Sequence, residues 1–340
     1  MTQFSGLCGA RRSVYTDAGP GKKGTKFGAF EIAGETMIAS MQRRRFLARS
    51  VGIAAISALA EGPRAALAKG EVKRRGGSKI KIALNAYSFN APLMAGKMTL
   101  DDVIDYCAAH DIDGVDTTGY YFPGYPKVPS DEFLFNLKRR AYLNGVTING
   151  TGVRNDFTLT DSARLRGEIQ LVKDWIGVAH KLGANFVRVF SGKAVPEGYT
   201  FDRVLEWMVP AFKECAEYGR LHGVIVGLQH HDDFLKTADE TIRVVQAVGS
   251  DWFSVILDVG SLRQGDPYDE IEKLLPYACT WQVKENVWYG KKSTPIDLVR
   301  VRAIIEKVGF RGFLPIEALG KGDPEVVVTS FLEKVRKAMA

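Results

Sequence analysis

The sequence predicts an α/β protein of the (β/α)8 TIM-barrel class, built as a single domain over residues 79–340. Three observations carry that prediction. Apolar, strand-like runs alternate with amphipathic helix-length segments eight times after residue 79, a span close to the roughly 250 residues of a closed eight-stranded barrel. Several helical segments open on a capping residue (Thr99, Ser130, Thr160, Thr200, Thr237) and several close on a glycine just before the next strand (Gly145, Gly183, Gly223, Gly309),. The first strand runs into Ala86-Tyr87-Ser88-Phe89 rather than a Gly-rich phosphate turn, which argues against an open doubly wound sheet,.

In chain order, the strand-like runs are Ile80–Ala86, Gly114–Thr118, Val146–Gly150, Phe186–Phe190, Val224–Gln229, Phe253–Asp258, Thr280–Glu285 and Phe313–Glu317,. The helical segments are Leu100–His110, Asp131–Asn144, Asp161–Leu182, Phe201–His222, Ala238–Val248, Asp269–Leu275, Pro295–Val308 and Pro324–Met339. The third shows the spacing plainly, with Ile169, Val172, Ile176, Ala179 and Leu182 on one face,. The stretch Tyr120–Pro129 (YYFPGYPKVP), where Pro and Gly punctuate a row of aromatics, is the candidate lid,.

The segment before the barrel reads differently. Met41-Gln-Arg-Arg-Arg-Phe-Leu-Ala48 is a twin-arginine pattern, Val51–Ala60 is a short apolar run, and Ala66-Leu67-Ala68 is a small-x-small cleavage site,. The apolar run is far short of the roughly 20 residues that span a bilayer. Residues 41–68 therefore read as a twin-arginine signal peptide, 1–40 as a disordered extension or a start placed too early, and 69–78 as a basic linker. The expected location is periplasmic or secreted, with no membrane contact in the mature form.

Charge supports the same division. The chain carries a formal net charge of +7. Residues 1–68 hold 10 Lys/Arg against 4 Asp/Glu, leaving the remainder with 36 against 35. The body thus has no basic footprint for a nucleic acid. Cys107, Cys215 and Cys279 are scattered in apolar contexts, which fits buried thiols rather than a disulfide framework or a zinc motif,.

Chemistry concentrates at the ends of the last four strands. GLQHHDD, ILDVGS, WQVKEN and LPIEAL are apolar runs ending in oxygen-bearing side chains, and strand alternation points Gln229, Asp258, Gln282 and Glu317 to one mouth,. His231 and Lys284 share those inward faces, whereas His230 and Glu285 alternate outward. On the earlier strands Asn85, Tyr87, Asp116, Asn149 and Arg188 fall on the inward face. Any one polar strand end could be a helix cap or a rim group; four on consecutive strands form a site.

With these strings in place, the chain resembles the xylose-isomerase-like sugar phosphate isomerase/epimerase superfamily over roughly residues 79–338. The resemblance implies a divalent metal at the barrel mouth, held by Glu, Asp, His and Glu. The matching positions are Gln229 in Gln229-His230-His231, Asp258 in Asp258-Val259-Gly260, Gln282 beside Lys284-Glu285, and Glu317 in Ile316-Glu317. Gln replaces Glu at 229 and His at 282, so two negative charges stand where the pattern has three. An all-oxygen set of this kind shifts preference from Zn towards Mg, Mn or Ca.

The resemblance further implies proton abstraction beside a sugar carbonyl. Gln229 cannot accept a proton, so the two-base epimerisation of the family gives way to a single base, Glu317, with His231 or Lys284 as acid. Asn85, Tyr87, Asp116, Arg188, His231 and Lys284 are the expected substrate-binding residues. The expected partner is a small-molecule sugar or glycoside, and a homo-oligomer is compatible with the sequence. The expected reactions are aldose–ketose isomerisation, or epimerisation or elimination on a keto-sugar or 3-keto-glycoside. The alternative is a sugar-binding barrel that has lost catalysis. An abasic-site endonuclease would need a His-rich three-zinc cluster, which five His residues at these positions do not supply.

Overall fold

A computed structural model describes residues 69–231 and 234–340, so the extension and signal-peptide expectations lie outside the described residues. Ten strands follow in chain order: β1 (Lys79–Asn85), β2 (Gly114–Asp116), β3 (Thr147–Gly152), β4 (Phe186–Phe190), β5 (Ile225–Gln229), β6 (Phe253–Asp258), β7 (Ala278–Lys284), β8 (Asn286–Tyr289), β9 (Lys292–Pro295) and β10 (Arg311–Glu317). β1 to β7 and β10 form a closed, all-parallel barrel in sequential order. It closes where β10 pairs with β1, with Ile82 opposite Leu314 and Leu84 opposite Ile316.

Among the described residues, eight helices of eight residues or more sheath the barrel: α1 (Leu100–Ala109), α2 (Asp131–Leu143), α3 (Ser162–Leu182), α4 (Phe201–His222), α5 (Ala238–Val248), α6 (Pro267–Leu274), α7 (Leu298–Val308) and α8 (Pro324–Met339). Thr99 and Thr237 close capping boxes at the starts of α1 and α5, satisfying amide groups that a helix leaves unpaired,. Asp161 rather than Thr160 caps α3. Gly183, Gly223, Gly249 and Gly309 end their helices with left-handed backbone, which explains the glycine before each following strand,.

Strand side chains alternate between the helix layer and the lumen. The outward set, including Val187, Val226, Leu257, Trp281, Val283 and Ile316, is buried against the helices in one continuous core. Trp281 meets Phe310 edge-on at 5.7 Å. The lumen is crowded enough that a Cβ on Gly150 would lie 2.0 Å from the Phe186 ring, so glycine is required there. Cys107 and Cys215 are buried free thiols and Cys279 is half-buried.

Several segments depart from expectation. The stretch after β7 is not yet helix: β8 and β9 form an antiparallel hairpin with Tyr289 opposite Lys292. Gly290 takes φ +62° at the first of two turn positions, the conformation that a type II′ turn gives to glycine,. Asp297 then caps α7, so that helix starts later than Pro295. Conversely, α6 starts early, because Asp266 caps it and Pro267 occupies its first position,. β2 stops at Asp116, and Thr118 turns away with φ +42°.

Residues 69–78 lie along the amino-terminal end of the barrel. Val72 N donates to Pro276 O (2.8 Å), Arg74 sits over the Phe310 ring at 4.6 Å, and its guanidinium donates to Ala278 O. The expected lid is packed down: Trp175 Nε1 donates to Pro126 O (3.0 Å), and Phe122 and Tyr125 each meet Trp175 edge-on at 5.3 Å. Among the described residues no helix is long and apolar enough to cross a membrane.

Candidate active site at the barrel mouth

The carboxyl ends of β5, β6, β7 and β10 bring Gln229, Asp258, Gln282, Lys284 and Glu317 together. Asp258 is fully buried at the end of β6, and both of its oxygens are engaged. Oδ2 accepts from Gln229 Nε2 (2.7 Å), Lys284 Nζ (2.9 Å) and Ser261 Oγ (3.0 Å), and Oδ1 accepts from Gly260 N (2.9 Å). Lys284 Nζ also lies 3.3 Å from Glu317 Oε1, so one ammonium bridges the two carboxylates.

Gln282 joins this group to the early strands. With its amide nitrogen towards β10, it donates to Glu317 Oε2 (3.1 Å), and its oxygen accepts from Asn85 Nδ2 (2.8 Å) and Arg188 Nη1 (3.2 Å). The opposite orientation would make a single bond, from Gln229 Nε2 (2.7 Å), the atom that the first orientation sets against the Gln282 amide nitrogen at that distance. It would also set the amide oxygen against the Glu317 carboxylate and the amide nitrogen against two N–H donors. Asn85 Oδ1 accepts from Tyr87 N (2.8 Å) and Thr118 Oγ1 (3.3 Å), which fixes the Asn85 amide and hence that of Gln282.

Burial opposes charge on Arg188, but Tyr120, Asp116 and Glu317 around it more than offset this and hold the guanidinium charged. Its Nη2 donates to Tyr120 Oη (3.3 Å), while Nε is buried with no hydrogen-bond partner among the described residues. Burial raises the Asp116 carboxyl, with Arg188 opposing; Asp116 accepts from Thr118 N (3.0 Å). Burial, then the neighbouring Asp258 charge, lifts Glu317 above the ordinary carboxylate range, against the pull of Lys284 and Arg188. Asp258 is shifted the other way: burial is overcome by Lys284, with help from His230 and His231.

His231 stands at the rim, exposed, with its ring edge-on to Phe190 at 5.6 Å. It lines a cavity of about 250 Å³ with Arg154, Asp156, Arg164, Glu168 and Lys193, between the ends of β3, β4 and β5. His230 points outward: burial lowers it to about 4, and its Nε2 accepts from Asp258 N (3.2 Å). Glu285 is a rim carboxylate that accepts from Leu319 N (2.8 Å). Tyr87 is half-buried beside Asn85.

Asn149 is not at the mouth. It sits where the β2–β3 register shifts, and it lines a cavity of about 150 Å³ with Asn185, Phe186, Thr280 and Phe313 near the opposite end of the barrel. Sequence reasoning missed Ser261 and Tyr120 as partners of Asp258 and Arg188. Ser261 was legible, because it follows Asp258 at capping distance.

The donor set does not fit the divalent ion expected of Gln229, Asp258, Gln282 and Glu317. An ammonium lies within 3.3 Å of both carboxylates, and the lone pairs of Asp258 are taken up by protein donors.

Comparisons with known proteins agree with the architecture. Residues 104–335 match the family model described as xylose isomerase-like TIM barrel, and the chain belongs to that family. A search of curated proteins gave no match. Among solved structures, D-psicose 3-epimerase with D-tagatose from Clostridium cellulolyticum H10 is 16% identical, with TM-score 0.61, covering 76% of this chain and 99% of the other. The probable 3-DHS dehydratase AsbF of Bacillus anthracis is 17% identical, with TM-score 0.59 and 75% and 98% coverage. The IOLI protein with a bound zinc atom is 16% identical, with TM-score 0.59 and 76% and 96% coverage. At these identities the likeness is one of fold.

Proposed function

We propose that this barrel is an exported sugar isomerase- or epimerase-type enzyme that removes a proton from the carbon beside a sugar carbonyl. Glu317 is the base. The observation that carries this reading is the buried pairing of Glu317 with Lys284 at the mouth of a barrel whose family includes sugar isomerases. Export rests on the twin-arginine pattern of residues 41–68.

Burial keeps Glu317 more basic than a solvated carboxylate, which suits proton abstraction near neutral pH. The proton passes from carbon to the Glu317 carboxylate, and the electron pair moves onto the carbonyl oxygen as an enediolate forms. Lys284 and Arg188 supply fixed positive charge where that oxyanion develops. Arg188 Nε, buried with no hydrogen-bond partner among the described residues, offers a donor to a substrate oxygen. Returning the proton to the adjacent carbon, with the neighbouring hydroxyl proton passed to the former carbonyl oxygen, gives aldose–ketose isomerisation; expelling a β-leaving group gives elimination from a 3-keto-glycoside. Proton return on the opposite face would need a second base, and Gln229 is an amide. His231 faces the neighbouring cavity, which gives room to the remainder of a glycoside.

Deuterium incorporation from heavy water, followed by NMR over a panel of aldoses, ketoses and 3-keto-glycosides, tests this. Exchange at a carbon next to the carbonyl is expected, and loss of it in Glu317→Gln. Sugar binding without exchange on any member would overturn the enzyme and leave a sugar-binding barrel.

A further inference from the structure

We infer that Lys284 is the resident cation of this site, seated between Asp258 and Glu317 in place of a divalent metal, and that the mouth is built to hold an ammonium. The inference builds on the Glu317-base reading and adds the electrophile that the reading requires.

Four features converge on it. Nζ lies 2.9 Å from Asp258 Oδ2 and 3.3 Å from Glu317 Oε1, distances that a tetrahedral ammonium satisfies with two of its three N–H groups,. Gln229 turns an amide N–H donor onto Asp258 Oδ2 at 2.7 Å, and the Gln282 amide stands 3.1 Å from Glu317 Oε2. A metal shell needs lone pairs converging on its centre, as from carboxylate or neutral imidazole. Amides that donate outward suit a centre whose charge is already supplied by the protein.

Charge gives the third feature. Lys284 and Arg188 stand against Asp258, Glu317 and Asp116, so a divalent ion would tip the buried centre to net positive charge, a costly state at low dielectric,. The fourth is steric. A Cβ at position 260 would lie 2.6 Å from Lys284 Cδ, so Gly260 leaves the channel through which the lysine stem reaches the carboxylates.

In the reaction, the Lys284 ammonium takes the place of a Lewis acid. It donates a hydrogen bond to the carbonyl oxygen as the Glu317 carboxylate takes the carbon-bound proton, and the enediolate is paired with a charge that needs no dissociable ion.

Titration of the full chain with Mn²⁺, Mg²⁺ and Zn²⁺, by calorimetry and by the electron paramagnetic resonance of free Mn²⁺, tests the inference without any substrate. No saturable site is expected in the natural protein. The triple variant Gln229→Glu, Gln282→His, Lys284→Met should bind one Mn²⁺ per chain, about 100-fold more tightly than the double variant that keeps Lys284. One saturable ion per chain in the natural protein would overturn the inference, whether or not the triple variant folds. In the exchange assay a chelator should leave deuterium incorporation unchanged. Loss on chelation with recovery on adding Mn²⁺ would overturn the Lys284 assignment while sparing Glu317 as base. Absence of exchange under both conditions would overturn the base, and the ion titration would still decide the cation.

Discussion

At the carboxyl end of the barrel, Asp258 is fully buried and its two oxygens receive four donors. Near the opposite end, Asn149 is just as inaccessible, and neither atom of its amide has a hydrogen-bond partner among the described residues. The difference follows from charge. An unpaired buried carboxylate is intolerable, so the mouth surrounds each one with N–H and O–H groups. An unpaired neutral amide costs only about 1–3 kcal/mol, which a large core can absorb. The polar groups at the mouth therefore bear on chemistry, and those at the far end bear only on stability.

Glu317→Gln is the hardest blow to that contrast. It removes the base and keeps the shape, so deuterium exchange should fall by about 10²–10⁴-fold, with some loss of stability as buried Lys284 keeps only Asp258 as its carboxylate partner,. The base works only when deprotonated, and its carboxyl is held above the ordinary range. The exchange rate should therefore drop, as pH falls, at a higher pH than a solvated carboxylate would give. A profile with no acid limb above the usual carboxylate range would remove Glu317 from the role.

Lys284→Met comes next. It leaves two buried carboxylates facing each other with no bridging charge, a loss of about 3–5 kcal/mol in chemical denaturation. Its acid limb should also move further up, because the ammonium that opposes protonation of Glu317 is gone. A stable variant with an unmoved limb would show that the pair contributes little.

Gly260→Ala is a milder probe. The new methyl collides with a flexible stem, so a stability loss of about 1 kcal/mol is expected, with a clear drop in exchange as Nζ leaves its seat,. Unchanged exchange would mean that the lysine has room elsewhere. Asn149→Leu should have the smallest effect and the opposite sign, a gain of about 1 kcal/mol with exchange untouched. A loss of stability there would show that the amide is satisfied after all, and the contrast between the two ends would fail.

Much of this was legible in the linear sequence. The alternation of strand and helix, the threonine caps and the closing glycines defined the barrel, because each is a local requirement of backbone geometry. Gln229, Asp258, Gln282, Lys284 and Glu317 were found because side-chain alternation on a strand is strict. What escaped notice depended on contacts between distant segments. The packing of the Tyr120–Pro129 stretch on Trp175 joins segments about fifty residues apart and has no mark in the sequence. Asn149 was assigned to the mouth because a register shift between β2 and β3 has no mark in the sequence. The hairpin did have one, the Gly290-Lys291 pair between two extended runs. Lys284 was placed as an acid beside the site, because spacing alone does not say which of several inward groups fills the centre.

Barrel closure has a consequence for the order of assembly. β10, the last strand, pairs with β1, the first, so the two elements farthest apart among the strands must meet before the ring exists. Glu317 rides on that final strand, and the other four residues that gather around Asp258 and Lys284 come from the preceding hundred or so positions. A growing chain therefore carries Asp116 and Arg188 well before it carries Asp258, Lys284 and Glu317. Contacts of such long sequence separation form late and slowly. The lysine meets its second carboxylate where β10 pairs with β7 and Glu317 stands opposite Lys284, so the strand that closes the ring on β1 is also the one that completes the ion cluster.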